Sequence, residues 1–235
     1  SGVRKTVDAA LPPGIDTKML EGVGIRWNAL PTGALEAFVG FAGDGSPLSK
    51  LLAPMGAEAR QGILEGLAEG IATGKSPRET AALVRQRFGM PLTRSLTISR
   101  TETLRAYRES TRAQYQANSN VVKGYQRLSA RDGDVCAACL ALDGKEYATD
   151  ELLEVHPNDR CVMIPITISY RDLGLNVDEP KDTREGAEEW LKKQGESTQR
   201  GILGDARWEK WQSGVNLDRM ATVTQDPTWG PTLRP

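Results

Sequence analysis

The chain has 235 residues, a formal net charge of −1 and a mean hydropathy of −0.43. That length suits one or two domains, no apolar run approaches the ~20 residues of a membrane helix, and the near-zero charge argues against a bulk nucleic-acid binder. The opening Ser1-Gly2-Val3-Arg4 lacks the charged-then-apolar order of a signal peptide. Three cysteines, an odd count, do not make a disulfide framework, so a reducing compartment, the cytoplasm, is expected.

The charge is unevenly distributed. From Ser76 to Arg131 eleven basic residues face three acids, a net +8, whereas from Asp132 to Arg200 sixteen acids face eight bases, a net −8. The split implies either halves that attract each other or surfaces with different partners.

Residues 1–50 are rich in Gly and Pro and read as an extended arm, with one helix near Ala34–Phe41. Residues 48–73 read as a helix, because Ile63, Leu67 and Ile71 recur every four positions with Leu64 beside them. Gly62, Gly66 and Gly70 share a second face, which suits close packing against another helix. Ser76, Pro77 and Glu79 form the start of the next helix as N-cap, first-turn proline and capping box; Ala82, Leu83 and Phe88 are its expected core face, and Gly89 its end. A long helix over Leu92–Ala117 should bury Leu104, Tyr107, Thr111 and Tyr115. Arg94, Arg105, Arg108 and Arg112 fall on an adjacent face. Two readings of that face stand: a solvated charged surface, or a contact surface for DNA or an acidic partner. Ser99-Arg100-Thr101-Glu102 reads as a local capping box, with a buried Glu102–Arg100 pair as the alternative.

After residue 120 the composition turns β-rich. Val121–Ser129 and Cys161–Ser169 read as strands, Asp143-Gly144 as a hairpin turn, and Thr149–Val155 as a helical turn. Two helices follow, Arg184–Gln194 capped by Asp182 and Glu185, and Thr198–Gln212 started by Ser197 and stopped by Gly214. Trp190, Trp208 and Trp211 read as core or interface residues. Pro227–Pro235 reads as an extended tail.

Cys136-Ala-Ala-Cys139, then His156, then Cys161 has the spacing of a Cys3His zinc site: two thiolates from one knuckle, with an imidazole and a third thiolate from a second pair. Every cysteine and the single histidine of the chain lie in this window. The window is polar, so a small module there needs a staple. The competing readings are a redox pair at Cys136 and Cys139, which lacks its usual βαβ setting, ordinary buried thiols, and a plain loop histidine. Four protein ligands leave no open position, so the Zn2+ would be structural. Asp159 is a fifth candidate, as a replacement ligand or as a hydrogen-bond acceptor around the site.

With His156 on the metal, no histidine is left for acid–base work. Gly70 to Ser76 ends like a phosphate-binding loop but lacks its glycine spacing and preceding strand. No enzyme is expected.

Three blocks resemble the phage head morphogenesis family, the minor head proteins similar to protein F of phage Mu. They are Gly70–Ala81 leading into Ile98–Thr103, Asp132–Cys139 with Leu142–Tyr147, and His156-Pro-Asn-Asp-Arg-Cys161. Ile202-Leu-Gly204 through Trp211–Gly214 is a weaker fourth, and the likeness spans roughly residues 60–215. Many members carry a cysteine where this chain has Asp159. The resemblance implies a structural minor head protein in the virion, at the capsid or portal vertex, assembled in the host cytoplasm. The implied partners are the portal or major capsid protein and packaged DNA, with no membrane and no small-molecule substrate. A nucleic-acid-binding zinc module using Arg94, Arg105, Arg108 and Arg112 is the alternative, and an effector enzyme ranks last.

The expected fold is α+β: an extended arm over 1–50, an N-terminal helical region with long helices over 51–118, a small zinc-stapled β-hairpin module over 119–170, and C-terminal helices and tail over 171–235.

Overall fold

The computed structural model describes Glu36 and residues 47–235, apart from 175, 180, 181, 183 and 227–229. The arm up to residue 46 and the helix expected near Ala34–Phe41 lie outside the described residues, Glu36 apart, while residues 47–50 of the expected arm are helical. The class is α+β, as expected.

From Pro47 on, the described residues open with four helices: α1 (Pro47–Leu52), α2 (Ala57–Ala72), α3 (Pro77–Phe88) and α4 (Leu92–Ala117). The single helix expected over 48–73 is two, because Pro54 has no N–H and its ring disfavours helix at the residue before it. On α2, Ile63, Leu67 and Ile71 are buried as the periodicity requires. The glycine face is buried too, against α3. A Cβ on Gly66 would sit 3.3 Å from Val84 Cγ2, and one on Gly70 only 2.3 Å from Thr80 Oγ1.

Helix α3 starts on the capping box read from the sequence: Glu79 N donates to Ser76 Oγ (3.3 Å) and Ser76 N to Glu79 Oε2 (2.8 Å). It stops at Gly89, whose φ of 63° suits glycine. Its core face is turned from expectation. Thr80, Ala81 and Val84 are buried, while Ala82 is exposed and Leu83 half-buried, because the side facing α2 is the one that meets the glycines.

Helix α4 has its expected bounds but a different inner face. Leu104, Tyr107, Thr111 and Tyr115 are only half-buried. Ser95, Ile98, Ser99, Thr101, Glu102, Thr103, Ala106 and Ser110 are the buried set. Small hydroxyl residues can face inward because they bond back to the preceding turn, as Ser95 Oγ does to Pro91 O (3.2 Å) and Thr101 Oγ1 to Thr97 O (2.7 Å). Ser99–Glu102 is mid-helix, so it caps nothing. Glu102 is fully buried and pairs at 3.3 Å with Arg105 rather than Arg100.

A three-stranded antiparallel sheet follows, in the order β2 (Glu146–Tyr147), β1 (Val122–Leu128), β3 (Val162–Thr167). Pro165 is tolerated because β3 is an edge strand. Gly124 is required where β1 meets β2, since a Cβ there would lie 2.6 Å from Tyr147 O. Between β1 and β2 runs a short helix, α5 (Ala137–Ala141). Asp143-Gly144 therefore joins a helix to a strand rather than two strands. Thr149–Val155 is turn and extended chain, not a helical turn.

The C-terminal helices are α6 (Ala187–Lys192), α7 (Glu196–Leu203) and α8 (Asp205–Gln212). Helix α6 starts three residues later than expected, at Ala187 after its N-cap Gly186, because Asp182 turns back onto Arg184 N (2.9 Å). Gly204, at φ 73° and ψ 154°, breaks the helix expected over 198–212 in two. A 3-10 turn (Leu217–Met220) leads to β4 (Thr222–Asp226), which pairs with β5 (Gly230–Arg234), so residues 230–234 of the expected tail form a strand.

Two hydrophobic cores result. Leu48, Leu52, Ile63, Leu67, Val84 and Ile98 belong to one among the first four helices. The other joins Val135, Cys139, Leu140 and Cys161 to Leu191, Leu203, Trp211, Leu217, Met220 and Leu233. The cysteine window thus shares a core with the C-terminal helices instead of lacking one. Trp190 and Trp208 pack half-buried against it.

The opposite settings of two glycines give a direct check. Gly70→Ala should destabilise by ~1–3 kcal/mol through overpacking on Thr80. Gly201→Ala, with nothing within 4 Å of its added Cβ, should stabilise by up to about 1 kcal/mol through helix propensity. Thermal melts of the pair should move in opposite directions.

Glu102 makes a second. Burial raises its carboxyl above the ordinary value of 4.5, and Arg105 only partly opposes this. A folded-state pKa that is raised contributes stability fully present below the unfolded value and lost as pH rises through the folded one. Glu102→Gln should therefore gain on wild type as pH climbs from 4.5 toward neutrality. Denaturant midpoints that run parallel over that range would contradict it.

Candidate metal centre

Three short segments converge beside α4. Cys136 is the N-cap of α5, where its Sγ accepts from Cys139 N at 3.3 Å, so the first turn of the helix places both sulfurs on one side. His156 lies in the loop before β3. Its Nδ1 faces Pro157 O at 2.7 Å. An N–H at Nδ1 leaves the Nε2 lone pair free, the arrangement a ligating imidazole uses. That Nε2 lies 3.2 Å from Cys136 Sγ and 3.1 Å from Cys139 Sγ. Asn158, at φ 64°, turns the chain so that Asp159 and Cys161 point inward.

The predicted residues fall into two overlapping groups whose ligand atoms lie within 4.8 Å of one another. One is Cys136, Cys139 and His156; the other is Cys139, Asp159 and Cys161. Cys139 is common to both, and Asp159 is as central as the four ligands read from the spacing. The donor set fits zinc in kind: soft thiolates and a neutral imidazole. Around tetrahedral zinc a sulfur and a nitrogen ligand sit ~3.5 Å apart, close to the separations found.

The sequence did not point to Arg127. Its guanidinium, fully buried, donates through Nη2 to Asp159 Oδ2 (2.9 Å), Cys161 Sγ (3.1 Å) and Cys139 Sγ (3.4 Å). The strand over Val121–Ser129 was legible, but Arg127 entered the sequence reading only as one of the basic residues of its stretch.

The arginines of α4 do not act together. Arg108 turns inward, donating to Asp159 Oδ1 (3.0 Å), Asp159 O (2.8 Å) and Cys161 O (3.0 Å). Its guanidinium is held by a buried carboxylate rather than turned to solvent. Arg105 pairs with Glu102 and Arg112 with Glu109, while Arg94 is exposed.

Electrostatics follow from these contacts. Hydrogen bonding from Cys139 draws the Cys136 thiol well below the usual range against the cost of burial, with His156 assisting. The bonds Cys139 makes to Cys136 and Cys161 push its own thiol up, as do burial and Asp159. Burial would lower His156, but Cys136 outweighs it and raises the imidazole. Burial would raise Asp159, but Arg108 and Arg127 hold it down.

Cys136, His156, Arg100 and Arg160 also line a cavity of about 470 Å³ that reaches the cluster. In chelator-treated protein at neutral pH, iodoacetamide should label half-buried Cys136 first, and buried Cys139 and Cys161 only on unfolding. Peptide mapping after timed quenching reads the order. Equal rates at all three would contradict it.

Among the described residues no helix is long and apolar enough to cross a membrane. Neither a curated protein nor a solved structure matches the chain. A family model described as Phage Mu protein F like protein matches residues 61–164. That span runs from α2 into β3 and takes in Cys136, Cys139, His156, Asp159 and Cys161. Across residues 61–164, then, this chain is similar to the Phage Mu protein F like family.

Proposed function

We propose that the chain is a structural, non-catalytic component in the head morphogenesis of a tailed phage. Its place is at the portal or inner capsid, with portal or major capsid protein as partner. The observation that carries this is the family match over residues 61–164, which contains every candidate ligand.

In this reading Cys136, Cys139, His156 and Cys161 hold one structural Zn2+. The ion would tie α5 to the loop before β3. Four protein ligands would leave no place for substrate or water. The non-catalytic reading is supported by the single histidine lying among these ligands. The alternative, a nucleic-acid surface on α4, is weakened by the inward turn of Arg108 and by the acid partners of Arg105 and Arg112.

Purified wild-type protein should contain about one zinc per chain, and Cys139→Ser should lose it together with thermal stability. Metal analysis beside thermal melts measures both. Mass spectrometry of purified phage particles should find the chain at low copy, and its absence from particles would remove the head-protein reading.

A further inference from the structure

Three charged side chains around the cysteines are too deeply buried to be incidental. Arg127 and Asp159 are 0% exposed and Arg108 is 11% exposed. Asp159 bridges the other two. Its Oδ1 accepts from Arg108 Nη2 and from Cys161 N (2.7 Å), and its Oδ2 from Arg127 Nη2. Both carboxylate oxygens are already engaged in charge-assisted bonds. Asp159 is therefore placed to orient arginines, although it sits among the ligand atoms.

The charges form a closed set. Three thiolates and Asp159 carry four negative charges. One divalent ion and two guanidinium groups carry four positive charges, with His156 neutral. On its inner side, where Arg127, Asp159, Cys139 and Cys161 are buried, an unbalanced charge carries a large penalty. In addition, Arg127 aims its N–H groups at Cys139 and Cys161, the two buried sulfurs, and not at half-buried Cys136.

We propose that Arg127 and Arg108, fixed by Asp159, are built-in countercharges of the metal centre, and that Arg127 also tunes two of the thiolates by hydrogen bonding. This rests on the metal reading above and adds residues from α4 and β1, outside the spacing motif. They are positioning residues: they set the charge and the sulfur donor strength rather than binding the ion. The centre is then matched to a divalent ion, since a change of one unit in either direction leaves a buried net charge.

The test is a zinc competition titration against a chromophoric chelator, with cobalt spectra recorded on the same proteins. Arg127→Met should weaken zinc binding by about 10–100-fold, and Asp159→Asn should weaken it comparably. The double variant Arg108→Met with Asp159→Asn removes one charge of each sign, and should bind more tightly than Asp159→Asn alone. Arg127→Lys keeps the charge and fewer N–H bonds. It should stay within a few fold of wild type, yet shift the sulfur-to-cobalt charge-transfer band to lower energy. This keeps the proposal testable if Arg127→Met does not fold.

Wild-type affinity in Arg127→Met, or a double variant weaker than Asp159→Asn, would overturn the countercharge proposal while leaving the metal site standing. An unmoved cobalt band in Arg127→Lys would overturn the thiolate tuning. Wild-type protein that binds no zinc would overturn both this proposal and the metal reading beneath it.

Discussion

Asp159 receiving Arg108 from one side and Arg127 from the other is the contact on which the rest of the architecture turns. Arg108 belongs to the long helix, Arg127 to the central strand, and Asp159 to the loop that delivers Cys161. One carboxylate thus locks the helical layer, the sheet and the cysteine pair into a single arrangement. Removing one partner of such a buried pair costs more than the pair itself contributes, because it strands a charge away from water.

The same bridge accounts for the uneven charge of the chain. The basic stretch ending at Arg131 and the acidic stretch that follows do attract each other at defined points: Arg108 and Arg127 to Asp159, and Arg131 to Asp143. Three arginines of the surplus are engaged in this way, while Arg78, Arg85, Arg87, Arg94 and Lys123 remain exposed. A stripe of arginines at helical spacing looks like a docking face until the partners of each are found. Here the partners are local acids for Arg105 and Arg112 and a buried one for Arg108.

What was legible in the sequence follows local rules. The capping box at Ser76, the stop at Gly89, the bounds of the long helix and the place of both long strands all depend on residues near in sequence. The metal-ligand spacing was legible for the same reason. The inner face of α4 was not, because it is built largely of small hydroxyl residues: Ser95 and Thr101 bond back to the preceding turn, and Ser99 and Thr103 are buried beside them, none of which hydrophobic periodicity can show. Nor was the break at Gly204, or the pairing of β5, which depends on a strand that precedes it by a short connection. The shared core of the cysteine window with α6–α8 was hidden by the polar composition of the window, although Val135 and Leu140 join that core.

Strand β5 carries one more implication. Leu233 is buried in the core beside the cysteines, and its N–H donates to Val155 O (3.0 Å), the residue before His156. The imidazole is therefore steadied by a backbone bond from far along the chain. During synthesis, the knuckle and the histidine leave the ribosome well before that bond can form. The centre must pass through a stage in which its ligands are present but its frame is open. Non-local closure of this kind is slow compared with helix formation, so the cysteines remain accessible for longer than their final burial suggests.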